Sequence, residues 1–198
     1  MPYPEYTVWF RGKPACPCLA AWLPVFEAEL IRRGVIRESI DIAQLIGGAA
    51  ASGGTHAEGG AFDIWQHDET TVWVARQMGA ACWARTAAQG FDPHAHGVLR
   101  GCPHNSPARY QIYALDNGYN GLGSGGRGSV DDGPRPVPHR SWREGIAWAQ
   151  AQEDDMKPED FDRIRAIVRE EVSRITIRQA KGFRARFARV MKRLSKES

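Results

Sequence analysis

The sequence has no long hydrophobic run and little net charge, and both absences narrow the class of protein. No stretch of about 18 apolar residues occurs among the 198 residues, so we expect no membrane-spanning helix. The first residues lack a basic segment followed by an apolar one, and we expect no secretion signal. A formal net charge of +3 is too small to indicate nucleic-acid binding by itself. With 42% hydrophobic residues, the chain can bury an ordinary globular core.

Cysteine is also scarce. The four cysteines are Cys16 and Cys18, which form a Cys-x-Cys pair, and the distant Cys82 and Cys102. This arrangement is compatible with a zinc site, with one or two disulfides, or with buried free thiols. The sequence does not decide among these three possibilities, so it does not indicate whether the protein acts in a reducing or an oxidising compartment.

Hydrophobic periodicity predicts short strands that alternate with helices. Strands are predicted at Tyr6–Phe10, Ile40–Ile46, Ala61–Trp65 and His94–Leu99. Helices are predicted at Cys18–Arg33, Glu69–Arg85, Ser106–Asn117 and Ser141–Gln152. Seven glycines between Gly118 and Gly133 predict a long loop, and long loops in compact domains are often functional.

The C-terminal part of the chain differs in composition, so we predict a domain spanning 1–152 and a helical, basic tail spanning 153–198. Residues 176–198 contain eight lysines and arginines and one acid, Glu197. Such a tail is suited to an anionic wall or membrane surface, whereas its regular apolar positions argue against specific nucleic-acid binding. Near-heptad spacing from Phe161 to Ile175 predicts a helix that packs on the domain or forms a homo-oligomer.

Two short clusters hold the side chains with the richest chemistry. The stretch Thr55–Asp63 contains His56 and Asp63, separated by glycines that let the backbone return the carboxylate to the imidazole. His94 and His96 follow in a predicted strand, where residues two apart point to the same face. A catalytic zinc site needs three such ligands and an open position. The clusters therefore predict a divalent-metal site, with His67, His104 and His139 as ordinary side chains outside it.

The string His56–Asp63 fits the pattern His-x-x-Gly-x-Ala-x-Asp, and His94-x-His96 follows it. In these residues the chain resembles the family of zinc D-Ala-D-Ala carboxypeptidases and peptidoglycan endopeptidases, related in fold to the hedgehog signalling domain. The resemblance covers about residues 35–100. It implies an α+β fold in which helices flank a small, mainly antiparallel sheet. It also implies that His56, Asp63 and His96 bind Zn²⁺, with His94 as a catalytic neighbour.

The chain departs from the family pattern in three places. Gly54 stands where the family usually has a serine, although Thr55 or Ser52 offers a hydroxyl nearby. Pro93 stands where many members have the glutamate that acts as general base. The base is therefore open among Asp92, His94 and Glu58. The arginine for the substrate carboxylate is open among Arg11, Arg37 and Arg85.

These features predict a zinc peptidase that hydrolyses peptide bonds in the stem peptides of peptidoglycan. Without a secretion signal, it is expected to be made in a host cytoplasm and to act at the bacterial cell wall, as a bacteriophage endolysin does. Carboxypeptidase and endopeptidase action both remain open. The Pro93 departure leaves one alternative, a non-catalytic zinc-containing module that binds the cell wall or forms part of a virion. A nucleic-acid-binding protein that uses the basic tail is a third, weaker hypothesis.

Overall fold

The computed structural model describes residues 3–48, 53–123 and 128–154. Up to Gln152 these residues belong to one compact unit. Of the predicted tail, the structure describes only the backbone of Glu153 and Asp154, so the helices and the oligomerisation predicted for it lie outside the described residues. Within the described residues, no helix has the length and apolar content needed to cross a membrane.

The chain begins with a hairpin and a long helix. Strands β1 (Val8–Phe10) and β2 (Lys13–Ala15) pair antiparallel around a turn in which Arg11 and Gly12 both have positive φ, at 50° and 75°. Such a turn matches the twist of a two-residue hairpin. The predicted first strand is therefore real but shorter, and β2 was not predicted. Helix α1 (Pro17–Arg32) confirms the predicted helix, with Pro24 inside it.

Four strands form the central sheet, and all its pairings are antiparallel. They are β3 (Ile42–Gln44), β4 (Ala61–Ile64), β5 (Ala80–Arg85) and β6 (His94–Leu99), in the spatial order β3-β4-β6-β5. Helix α2 (Glu69–Gln77) connects β4 to β5. The expected α+β class with a small antiparallel sheet is confirmed. In the register of β4 and β6, Asp63 lies directly opposite His96.

The predicted helix Glu69–Arg85 is wrong in its second half. Helix α2 ends at Gln77, and Gly79 then adopts a φ of +85°, which favours glycine. A Cβ atom at Gly79 would lie 2.4 Å from the carbonyl oxygen of Ser141, so no larger residue fits there. After this turn the chain enters β5, which pairs along its whole length with β6.

Two further helices confirm the predictions that begin at Ser106 and Ser141. A 3₁₀ turn (Ser106–Ala108) leads into α3 (Arg109–Asp116), and α4 (Trp142–Asp154) closes the described chain. The predicted loop between Gly118 and Gly133 has, in the part described, a single isolated bridge between Tyr119 and Val130.

The two faces of the sheet are buried by different helices. On one face, α1 and α2 cover an aromatic core in which Trp22 stacks on Phe26 with ring centroids 4.5 Å apart. Phe62 of β4 joins this core, and a Cβ atom at Gly97 would lie 2.3 Å from its ring. On the opposite face, residues of α3 pack against Ala61, Val98 and Trp83. Because side chains alternate along a strand, Asp63, His94 and His96 lie on this second face.

Candidate metal centre

The three residues predicted as metal ligands come together at the end of the central sheet. His56 lies in the turn before β4, Asp63 lies in β4, and His96 lies opposite Asp63 in β6. One nitrogen or oxygen atom from each lies within 4.8 Å of the others, so the group could hold a metal ion. The rings of His56 and His96 meet edge to face, with centroids 5.3 Å apart.

His56 offers one particular nitrogen to the centre. Its Nδ1 lies 2.8 Å from the carbonyl oxygen of Leu45, which can only accept, so Nδ1 carries the proton. The other nitrogen, Nε2, then has a lone pair that faces Asp63 Oδ2 at 3.2 Å. Among the described residues, this buried Nε2 has no hydrogen-bond partner. A lone pair pointing at a carboxylate is repulsive unless a cation or a proton lies between them.

His96 is oriented in the same manner by a different partner. Its Nε2 lies 2.8 Å from Oε1 of Gln111, and the amide of Gln111 is oriented by donation to the carbonyl of Gly121. Donation from Nε2 to Gln111 would leave the Nδ1 lone pair of His96 to a metal ion, whereas a proton on Nδ1 is donated to Asp63 Oδ1, 2.7 Å away. Burial lowers the pKa of His96, which favours the neutral imidazole that a metal requires.

Asp63 completes the centre as a carboxylate. Burial opposes its ionisation, but hydrogen bonds from His56 and His96, formed when a ring carries its proton towards the carboxylate, outweigh burial and hold the pKa of Asp63 well below its usual value. Two imidazoles, each with an outer hydrogen-bond partner, and an anionic carboxylate therefore lie close enough together to share one ion. This is a ligand set that zinc accepts, and other first-row divalent ions accept it as well.

The two predicted catalytic residues lie beside this centre and share one hydrogen bond. His94 Nδ1 donates to the backbone carbonyl of Asp92 at 2.6 Å, which leaves the Nε2 lone pair 3.6 Å from Asp63 Oδ1. The side chain of His94 is 13% exposed, whereas Asp92 is exposed at the rim of the same cavity. Glu58, the third candidate base, is exposed and does not line the cavity.

A cavity of about 750 Å³ opens above the centre. Its volume lies in the range of sites that bind small molecules and short peptides. One wall comes from α3 and another from the glycine-rich loop that follows it. The lining residues from these elements and from the rim are Trp65, Phe91, Tyr110, Gln111, Gly121, Leu122 and Gly123.

Arg85 is the candidate arginine that lines this cavity. Its Nη1 donates to the carbonyl of Asn120 at 2.8 Å, while its buried Nη2 has no hydrogen-bond partner among the described residues. Burial lowers the pKa of Arg85 to about 10, so the side chain is still cationic at neutral pH. Arg11 instead pairs with Glu27 at 2.6 and 2.7 Å, and neither Arg11 nor Arg37 lines the cavity.

Sequence reasoning missed two features of this region. Gln111 orients His96 from α3, and nothing in its local sequence distinguishes it from another helical glutamine. His104 was expected to be an ordinary side chain, but it lies in a second group of potential ligands with Cys16, Cys18 and Cys102. The spacing Cys102-x-His104 was the available signal for it. His67 and His139 are exposed, as expected.

No protein-family model, curated protein or solved structure matches the chain. The interpretation of the centre therefore depends on its own residues and their geometry.

Proposed function

We propose that the protein is a zinc-dependent peptidase that hydrolyses peptide bonds in peptidoglycan stem peptides. The observation that supports this most is the grouping of two imidazoles, each held by an outer hydrogen-bond partner, with a carboxylate beside a peptide-sized cavity. The motif His56–Asp63 and the pair His94-x-His96 add the resemblance to wall-cleaving zinc peptidases. A protein of this kind, made in a host cytoplasm, would act on the cell wall as an endolysin does.

His56, Asp63 and His96 are the residues that would hold the zinc ion. A bound zinc ion polarises a carbonyl oxygen and lowers the pKa of a bound water towards about 7. With two neutral imidazoles and one carboxylate as ligands, the centre keeps a net charge of about +1, which favours a developing oxyanion. Further activation of water depends on a proton acceptor from the chain itself.

We assign that role to His94. Its Nδ1–H is held by the carbonyl of Asp92, so Nε2 is free to accept a proton from a water molecule in the cavity. The resulting imidazolium can return the proton to the amine that leaves when the peptide bond breaks. Asp92 would contribute through its backbone carbonyl, which holds the ring in place.

Arg85 supplies a site for a free carboxylate of the stem peptide. Its Nη2 has no hydrogen-bond partner among the described residues and no exposed surface, so the guanidinium would have to shift towards the cavity to bind a carboxylate, where a charged hydrogen bond is stronger than in water. Stem peptides combine D-residues with free carboxylates, which fits an arginine close to the reacting centre. The arrangement is compatible with carboxypeptidase and with endopeptidase action.

Mass spectrometry of soluble muropeptides tests this proposal. Purified peptidoglycan is digested with the zinc-loaded protein and with the Asp63→Ala variant. Release of D-Ala would identify a carboxypeptidase, and new amino termini within stems or cross-links would identify an endopeptidase. Whichever product the wild type releases should disappear in Asp63→Ala. It should persist in a His67→Ala control, which removes an exposed histidine outside the cavity.

A non-catalytic zinc-containing module that binds the wall or belongs to a virion is the second candidate. Pro93 favours it, because this residue occupies the place where related peptidases have a glutamate base. A zinc-loaded wild-type protein that binds cell walls but releases no product would support this candidate and contradict the peptidase. In that case His94→Ala and Asp92→Ala would leave wall affinity unchanged.

A further inference from the structure

Three cysteines and one histidine form a second cluster on the other side of the turn that holds His56. Cys16 precedes α1 and Cys18 lies in its first turn, while Cys102 and His104 lie in the segment between β6 and α3. The three cysteines are buried, and His104 is partly buried. One sulfur or nitrogen atom from each residue lies within 4.8 Å of all the others.

Three distances in this cluster match those expected around one shared ion. Cys16 Sγ lies 3.8 Å from Cys102 Sγ, and His104 Nδ1 lies 3.7 Å from both Cys18 Sγ and Cys102 Sγ. With Zn–S bonds of about 2.3 Å and Zn–N bonds of about 2.0 Å, a tetrahedral ion separates its ligands by about 3.8 Å (S to S) and about 3.5 Å (S to N). A disulfide would instead require about 2.05 Å.

The surroundings of Cys16 suit its sulfur in the anionic form. The backbone N–H of Gly60 donates to Cys16 Sγ at 3.3 Å, and the N-terminus of α1 directs its dipole at the same region. Position 60 requires glycine, because its φ is +72° and a Cβ atom there would lie 2.5 Å from Asn105 Cβ and 3.1 Å from Cys102 Sγ. A Cβ atom at Gly59 would lie 2.9 Å from Cys16 Cβ.

His104 is held in place by an aromatic neighbour. The ring of Tyr6 packs on the imidazole with centroids 4.1 Å apart, and the hydroxyl of Tyr6 donates to the carbonyl of Glu58. Cys82 offers an internal contrast, since it is buried in β5 and lies outside the cluster. Packing of a small apolar side chain is enough to explain why a single cysteine is buried at Cys82. It does not explain why three thiols lie together around an imidazole.

We propose that Cys16, Cys18, Cys102 and His104 bind a second, structural zinc ion in a closed tetrahedral site. Four protein ligands leave no open position, so this ion has no role in hydrolysis. Binding converts the three thiols to thiolates and releases their protons to solvent. The ion ties the start of α1 to the segment after β6, two parts of the chain 86 residues apart. Through Gly59 and Gly60 it also supports the turn that holds His56.

Metal analysis of the full-length protein, purified after growth with zinc, tests this site. We expect two zinc ions per chain in the wild type, and one in Cys18→Ser, which exchanges a sulfur ligand for a group of similar size. His56→Ala should also retain one, because it removes the other centre. The matched control Cys82→Ala should retain two. A wild-type protein with one zinc that Cys18→Ser keeps would overturn the proposal.

Cobalt substitution in the wild-type protein gives a readout that does not depend on a folded cysteine variant. Thiolate ligands produce an intense charge-transfer absorption with cobalt in the near ultraviolet, which a centre of histidine and aspartate cannot produce. The band should persist in His56→Ala. Its absence, or a Cys16–Cys102 disulfide found by mass spectrometry of the non-reduced protein, would overturn the proposal. A protein that holds two zinc ions but cleaves no peptidoglycan would contradict only the peptidase.

Discussion

At the scale of single residues, the chemistry of the first centre is decided by groups outside it. The carbonyl of Leu45 determines which nitrogen His56 presents, and the amide of Gln111 favours the presentation of Nδ1 by His96. Without these contacts, His56 and His96 would have two tautomers each, and the three donors would converge only part of the time. His94 follows the same rule, since the carbonyl of Asp92 leaves its Nε2 free.

The first prediction separates the two candidate bases. His94→Ala should lower kcat on a soluble muropeptide by about 10²–10⁴-fold, the range for loss of a general base, and should leave the zinc content unchanged. Asp92→Ala should have a much smaller effect, because the contact with His94 is made by the backbone carbonyl, which the substitution retains. A loss in Asp92→Ala as large as that in His94→Ala would transfer the role of base to the Asp92 carboxylate.

The second prediction concerns Arg85. Arg85→Gln should raise KM by about tenfold to a hundredfold with a smaller change in kcat, because hydrogen bonds to charged groups contribute about 1.5–3 kcal/mol. A substrate whose free carboxylate is amidated should show the same rise in KM with the wild type. With the amidated substrate, Arg85→Gln should cause no further rise in KM. Additive losses would mean that Arg85 binds another group.

At the scale of helices and strands, local patterns determined what could be predicted from the sequence. Helix α1 and strand β6 were predicted because their apolar residues repeat with the period of the element that forms. Strand β5 was missed because its alanine-rich sequence lacks the β-branched residues that mark strands, and its pairing with β6 overrides that weak preference. Gly79 was the local signal that α2 ends.

The third prediction tests whether close packing, and not positive φ alone, requires glycine at position 79. Gly79 and Gly90 have almost the same φ, +85° and +86°, but a Cβ atom would collide with Ser141 at the first and meet nothing within 4 Å at the second. Gly90→Ala should cost about 1 kcal/mol of unfolding free energy from backbone strain. Gly79→Ala should cost about 2 kcal/mol more, measured by urea unfolding. Equal losses would show that α4 moves away without cost.

At the scale of the whole molecule, the site joins parts of the chain that sequence reasoning cannot bring together. The candidate ligands His56 and Asp63 share one local motif, and strand alternation places His94 and His96 on one face. Gln111 and the cavity wall at Gly121 reach the centre only through the packing of α3 and the glycine-rich loop. No local pattern encodes those contacts, because they depend on how distant elements dock.

A buried ion pair holds that loop against the body of the domain. Arg76 of α2 donates to both oxygens of Asp131, at 2.8 and 3.1 Å, and both side chains are fully buried. The backbone N–H of Asp131 also donates to the carbonyl of Gly118, which precedes the part of the loop that lines the cavity. The position of one cavity wall therefore depends on a contact outside the candidate metal centre.

The fourth prediction follows from this pair. Asp131→Ala should lower the free energy of unfolding by about 3–5 kcal/mol, because it leaves the guanidinium of Arg76 buried without its counter-charge. Arg135 contacts the same carboxylate at 3.0 Å from a half-exposed position, so Arg135→Ala should cost less than about 1 kcal/mol. Urea unfolding measures both losses.

Under conditions in which the variant is folded, Asp131→Ala should also raise KM, because the loop that includes Gly121 loses its anchor. An unchanged KM together with the large loss of stability would show that the cavity wall is held by α3 and Arg85 without this ion pair.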